Sequence, residues 1–186
     1  MRITNGKYHK RYLEGTYVAD VRPTMRRLRE SLFDFLTPYV RAARFLDLCA
    51  GSGVVGIEAL SRGAAHVTFV ERSPKACAVI EANLSRCDAN MEQVEVMTED
   101  TLSFLHREAE VGGKTWDVAF YDPPYSTDYT DTLALFAGGA ALRRKGGVLV
   151  VEHLHCNRLG DTLGVLHRWR VVRRADSCLS FYQRRR

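Results

Sequence analysis

The stretch Leu46–Leu60, LDLCAGSGVVGIEAL, decides how this chain folds. It opens with the apolar residues of a buried strand, turns through Gly51, Gly53 and Gly56, and continues as an apolar segment of helical character. Glycine allows the backbone to turn tightly and to approach a ligand closely, and a helix that begins there presents unpaired N–H groups. The three glycines spell GxGxxG, so the turn alone admits a dinucleotide as well as a nucleoside.

The flanking sequence repeats the same unit. Short apolar runs at 44–50, 66–71, 94–98, 117–122 and 147–153 alternate with segments of helical character near 54–62, 74–87, 100–108 and 128–142. That alternation predicts an α/β fold, a Rossmann-like doubly wound sheet whose strands are parallel. After residue 160 the pattern changes to two strand-like runs, GVLHRWRVVRRA and SCLSFYQ, with Asp176 and Ser177 between them, which predicts a terminal antiparallel β-hairpin. Ahead of the sheet, RPTMRRLRESLFDFL places Met25, Leu28, Leu32, Phe35 and Leu36 at helical spacing, with Thr24 as N-cap and Arg27 able to pair with Glu30 or Asp34. Residues 1–22 are expected to form a small basic N-terminal arm or hairpin, and 23–186 the main domain.

The 186 residues, 46% of them apolar, suit one core. No run approaches the ~20 apolar residues that span a bilayer, and a soluble, cytoplasmic, monomeric protein is expected. Five cysteines without a CxxC pair argue against a disulfide framework and a zinc site, and His153 and His155 lack a third ligand nearby, so no metal is expected. The net charge of +5 is concentrated at 2–29 and 168–186, which favours a polyanionic partner.

Three acids close successive strands. Asp47 precedes the glycines, where it would repel a pyrophosphate but could help hold a cationic amino-acid head group. Glu71 ends the second strand, where a carboxylate can accept both ribose hydroxyls, and Asp100 follows the third, placed for an adenine amine. S-adenosylmethionine carries all three features. The expected cofactor set is Asp47, Cys49, Ala50, Gly51, Ser52, Gly53, Glu71, Arg72, Ser73, Asp100, Thr101 and Leu102.

The fourth run ends in Asp122-Pro123-Pro124-Tyr125. The exocyclic amine of a nucleobase is a poor nucleophile because its lone pair is delocalised into the ring. A carboxylate (Asp122) and a stiff backbone carbonyl (Pro123) that both accept from it can localise that pair. Tyr125 would stack on the base, worth about 1–3 kcal/mol.

Together these residues resemble the amino-group class of S-adenosylmethionine-dependent methyltransferases. More narrowly, RITNGKYHKR, RPTMRRLRESLFDFL, RFLDLCAGSGVVGIEALSRGAAHVTFVE, YDPPY and KGGVLVVEH resemble, in order and spacing, the bacterial RsmD family. The resemblance implies a seven-stranded sheet and methylation of a guanine N2 in 16S (small-subunit) ribosomal RNA, with S-adenosylhomocysteine as product. The substrate is then rRNA, within a small-subunit assembly particle. A target base would be flipped into the pocket, with Arg2, Lys7, Lys10, Arg11, Arg22, Arg26 and Arg29 on phosphates. Alternatives are an amino methyltransferase on DNA adenine or cytosine, and a non-catalytic RNA-binding assembly factor.

Overall fold

The computed structural model describes residues 1–16, 23–124, 126–139, 141–143 and 146–184, with 23–25 described by backbone alone. Arg22 and Tyr125, and the side chains of Thr24 and Met25, therefore lie outside the described residues.

Helix α1 (Pro23–Val40) begins on a proline, whose fixed φ suits a first helical position. Leu28, Leu32, Phe33, Leu36 and Val40 fall at three- and four-residue spacing and are buried, each contributing about 1.5–3 kcal/mol. The helix runs past Leu36, through Pro38, before it stops. On its outer side it is Arg26, not Arg27, that pairs with Glu30, at 2.9 Å.

Five parallel strands follow: β1 (Arg44–Leu48), β2 (His66–Val70), β3 (Val94–Met97), β4 (Val118–Tyr121) and β5 (Val148–Leu154). Between them lie α2 (Val54–Ser61), α3 (Pro74–Arg86), α4 (Thr101–Glu110) and α5 (Thr130–Ala137). The expected helix over 128–142 is thus shorter, ending at Gly138 and Gly139, the second with φ +85°. The terminal hairpin is β7 (Leu166–Arg174) and β8 (Ser177–Arg184), and its turn is Ala175-Asp176, one residue earlier than expected because Ser177 already pairs with Arg174. A two-residue strand, β6 (Thr162–Leu163), adds to β7 and brings the sheet to eight strands rather than seven. Two residues carry no readable period. β6 depends instead on Gly164, at φ +52°, where a Cβ would stand 2.3 Å from the Ala137 carbonyl oxygen.

The sheet order is β3-β2-β1-β4-β5-β8-β7-β6. Alternation along β1 sends Phe45 to the core shared with α1, α2 and α3, and Leu46 and Leu48 to the opposite core with α4 and α5. The chain winds outward from β1 in one direction to β3 and, from β4, in the other. That reversal opens a crevice at the carboxyl ends of β1 and β4, the usual ligand position in such sheets.

The first fourteen residues are built into the same core. Ile3, Tyr8 and Leu13 are buried, and Arg2 bridges Tyr12 across an antiparallel turn. The anchor is Glu58 of α2, fully buried: it accepts from Thr4 N–H (2.9 Å), Thr4 Oγ1 (2.6 Å), Asn5 N–H (3.1 Å) and Arg62 Nε (2.9 Å), with Arg29 Nε at 3.7 Å. Asn83 of α3, also buried, donates to the carbonyls of Glu14 and Ser52 and so ties this segment to the glycine loop.

Candidate active site

Strand β1 delivers the chain to Cys49, which adopts φ +59°, and the loop then turns through Gly51 (φ +55°) and Gly53 (φ +75°) into α2. The glycines serve different ends. A Cβ on Gly56 would stand 2.3 Å from Phe69 Cε1, so Gly56 exists to let α2 lie on β2. A Cβ on Gly51 would meet nothing closer than the Cys49 oxygen at 4.0 Å, so that position faces open space.

The space is a cavity of about 720 Å³, within the range of small-molecule sites. Its walls include Cys49, Gly51, Glu71, Arg72, Asp100, Thr101 and Leu102 from the expected cofactor set, and Asp122, Pro123 and Pro124 from the proline loop. The structure therefore gathers residues from the ends of four strands.

Glu71 does more than line the wall: Oε2 accepts from Gly51 N–H and Oε1 from Ser73 N–H, both at 2.9 Å. A carboxylate has about four lone-pair positions, so these bonds hold the side chain still and leave acceptor capacity on each oxygen. Asp100 caps α4, with both of its bonds, to Leu102 and Ser103 N–H, on Oδ1. Beyond β4, Asp122 N–H donates to the Leu48 carbonyl at 3.4 Å, which seats it beside the glycine loop. The Pro124 carbonyl is taken by Thr127 N–H at 2.8 Å, whereas no donor among the described residues reaches the carbonyl of Pro123.

Other expected site residues lie elsewhere. Asp47 is buried beneath the loop, not on the cavity wall, and its Oδ2 accepts from Gly56 N–H at 2.8 Å. Burial holds its carboxyl well above the ordinary range, the Gly56 bond opposes this, and Asp122 and Glu71 add to it. Ala50, Ser52, Gly53 and Ser73 shape the two loops from behind: Ala50 N–H donates to Val70, the Ser52 carbonyl accepts from Asn83, Gly53 N–H donates to Ala50, and Ser73 caps α3. Burial, offset by a bond to Thr101 and reinforced by nearby carboxylates, raises the Cys49 thiol to about 12, so it stays protonated at neutral pH.

Of the basic residues expected on RNA, Arg29 is only 7% exposed: it donates to the Arg2 carbonyl and faces Glu58, so a phosphate cannot reach it. Arg11 pairs with Asp88, Arg2 lies over the Tyr12 ring and Lys7 over Tyr8, while Lys10 is exposed. His153 is buried against Ser180 Oγ at 2.9 Å, and His155 follows in an exposed turn.

Glu152 was missed by the sequence reading. β4 and β5 pair in parallel with Tyr121 opposite Val151, which brings the next residues, Asp122 and Glu152, to adjacent strand ends, and both line the cavity. The signal was available, since an acid that closes an apolar run is what drew attention to Glu71 and Asp122. Burial first, and then the charge of Asp122, push the Glu152 carboxyl well above its ordinary 4.5, against a bond from the Ser177 hydroxyl. The folded protein thus keeps a proton that the unfolded chain releases above about pH 4.5, and stability falls as pH rises from there toward the folded value. Compared between about pH 5 and about pH 8, Glu152→Gln should show a weaker decline than the wild type but not a flat profile, because burial shifts Asp47 in the same direction. Urea midpoints at the two ends of this range check the point, and an unchanged slope contradicts it.

The winding of the sheet, the crevice at its reversal and the gathered loops define a Rossmann-like class I methyltransferase. The chain belongs to the family described as Conserved hypothetical protein 95, matched over residues 1–183, which is the RsmD family of methyltransferases. It is 34% identical to the Bacillus subtilis protein named "Putative rRNA methyltransferase YlbH", over 89% of each chain. It is 38% identical to the Haemophilus influenzae "Ribosomal RNA small subunit methyltransferase D", where the match spans 67% of this chain and 64% of that one, less than two thirds of the relative's length. Among solved structures, the Escherichia coli "Putative methyltransferase yhhF" superposes with a TM-score of 0.86 at 30% identity, over 99% of this chain and 97% of that one. At 14% identity and a TM-score of 0.73, over 95% of this chain and 52% of that one, the structure described as "SMU.776, a putative methyltransferase complexed with SAH" shares the fold alone.

Proposed function

We propose that the chain methylates the exocyclic N2 amine of a guanine in small-subunit ribosomal RNA, using S-adenosylmethionine. The observation that carries this reading is the charge of the cavity. Glu71, Asp100, Asp122, Asp128 and Asp131 line it, with Glu152 held toward its neutral form, against Arg72 as the cation on its described wall. Such a site repels the pyrophosphate of a dinucleotide and suits a ligand bearing an ammonium and a sulfonium. Its volume and the open face at Gly51 accommodate a nucleoside of that size. The small-subunit rRNA substrate is the one in the name of the Haemophilus relative, and SAH is the molecule described with SMU.776.

The cofactor supplies an electrophilic methyl group on a positively charged sulfur. Glu71, already held by two backbone N–H groups, accepts the ribose hydroxyls on its remaining lone pairs. Asp100 and the backbone of Thr101 and Leu102 take the adenine edge. Asp122 and the carbonyl of Pro123 accept from the two hydrogens of the base amine, turning its lone pair out of the ring toward the methyl group. Because proline restricts the loop before the base arrives, little reorganisation remains to be done during the reaction. The proton released from nitrogen passes to Asp122 or to water. Burial and the charge of Asp122 hold the Glu152 carboxyl toward its protonated form, and in that form it would offer a carbonyl oxygen to the guanine N1–H and a hydroxyl to O6, reading the base while Asp122 holds the amine. Tyr125 stacks on the base.

Mass mapping of 16S rRNA from cells lacking the protein tests this reading. One N2-methylguanine should be absent and should return when purified protein and S-adenosylmethionine are supplied to isolated subunits. An rRNA methylation pattern unchanged by the deletion would remove the proposed substrate.

A further inference from the structure

The C-terminal hairpin carries cations that no carboxylate among the described residues pairs with. Strand β7 runs parallel to β5, with β8 between them, and its end reaches the edge that bears Glu152: Arg173 faces Cys178, which faces His153, and Arg174 faces Ser177, which faces Leu154. Two strand spacings, about 10 Å, separate these arginines from the end of β5. Arg170, Arg173 and Arg174 are exposed. Arg170 lies over the Phe35 ring at 5.0 Å, Arg173 Nε donates to the Ala175 carbonyl, and Arg174 Nη1 to that of Arg173. Among the described residues none of the three pairs with a carboxylate, whereas Arg168 on the same strand is committed to Asp161 and the Leu159 carbonyl.

An aromatic ring stands beside Arg170. Trp169 is 39% exposed although it packs on Phe35, Tyr39 and Phe181, with centroids 5.3–6.4 Å away. A β-bulge between Arg168 and Arg170 places Trp169 out of the regular alternation, on the same side as Arg170 over Phe35. Unpaired guanidinium groups beside an accessible ring form the composition that holds single-stranded nucleic acid, phosphates on the cations and an unstacked base on the ring. The N-terminal cations are less available, since Arg29 is buried and Arg11 and Arg26 are paired.

We propose that the outer strand of the hairpin is an RNA-docking rail, in which Arg173 and Arg174 hold phosphates at the catalytic edge and Arg170 holds one beside Trp169, which stacks a base further back along the strand. This rests on the rRNA substrate proposed above and locates where that RNA is gripped. The test compares full-length 16S rRNA binding over a salt series for the wild type and for Arg170→Gln/Arg173→Gln/Arg174→Gln. Three lost phosphate contacts, at about 0.7–0.9 each, should reduce the slope of log K against log salt by about two to three units. The RNA KM should rise, with S-adenosylmethionine affinity and the single-turnover rate at saturating RNA unchanged. A control variant with the same charge loss on the far side, Arg86→Gln/Arg107→Gln/Lys114→Gln, should keep the wild-type slope. A wild-type slope in the hairpin variant, or an equal fall in the control, overturns the rail. If the wild type binds 16S rRNA but transfers no methyl group to it, the proposed reaction fails while the slope still judges the rail, and a wild type that does not bind this RNA overturns both.

Discussion

Asp122→Ala should lose methyl transfer by about 10²–10³-fold while the affinity for S-adenosylmethionine falls far less, the first being the magnitude expected when one preorganised electrostatic partner of a transition state is removed. The side chain lies at the end of β4, on the wall of the cavity beside Glu152 and the glycine loop. In the proposed reaction it shapes the amine of the base, whereas Glu71 and Asp100 hold the nucleoside, so the two functions separate. Single-turnover methyl transfer and calorimetry with the cofactor measure them independently. Asp122→Asn adds a further distinction, because it keeps an acceptor oxygen and removes the charge: activity between wild type and the alanine variant would show that hydrogen bonding and charge both contribute. Full activity in Asp122→Ala would dispose of the mechanism even if the RNA substrate were right.

The largest effect on stability is expected at a residue remote from the chemistry. Glu58→Ala removes the carboxylate on which Thr4, Asn5 and Arg62 converge, and leaves Arg29 buried without it. Burial already pulls the Arg29 guanidinium below its ordinary pKa, with Glu58 the leading influence in the opposite direction. Breaking a buried pair by deleting one partner costs about 3–5 kcal/mol. For a chain of this length that lowers Tm by roughly 6–20 °C. The backbone N–H groups of Thr4 and Asn5 would also lose their acceptor, so limited proteolysis should release the first residues before the rest of the domain unfolds. A loss below about 1 kcal/mol, the scale of an exposed ion pair, would mean that water reaches the cluster and compensates it.

Both residues occur in stretches that were read from the sequence, yet the placement of one was legible and that of the other was not. Asp122 ends an apolar run ahead of two prolines, and a local pattern of that kind survives folding. Glu58 stands in the helix after the glycines, where Arg62 four residues on suggests an ordinary helix-surface pair, because the partners that bury it, Thr4 and Asn5, lie more than fifty positions away. Arg29 shows the same effect with the opposite sign. A charged residue on a helix flank looks solvent-exposed until a buried acid from another element explains why it is inside.

The order of strands and helices, the glycine turn, the acid at the end of β2 and the proline loop after β4 follow from the chain itself, since each depends on side-chain period, φ preference or a bond within a few residues. The tertiary structure alone decided that Asp47 supports α2 from below, that the opening segment is packed into the core, that β6 exists, and that Glu152 stands beside Asp122. These depend on which distant strands become neighbours and on which groups lose water together. Residues far apart in the chain acquire a shared environment only when the sheet has assembled, and no local period records it.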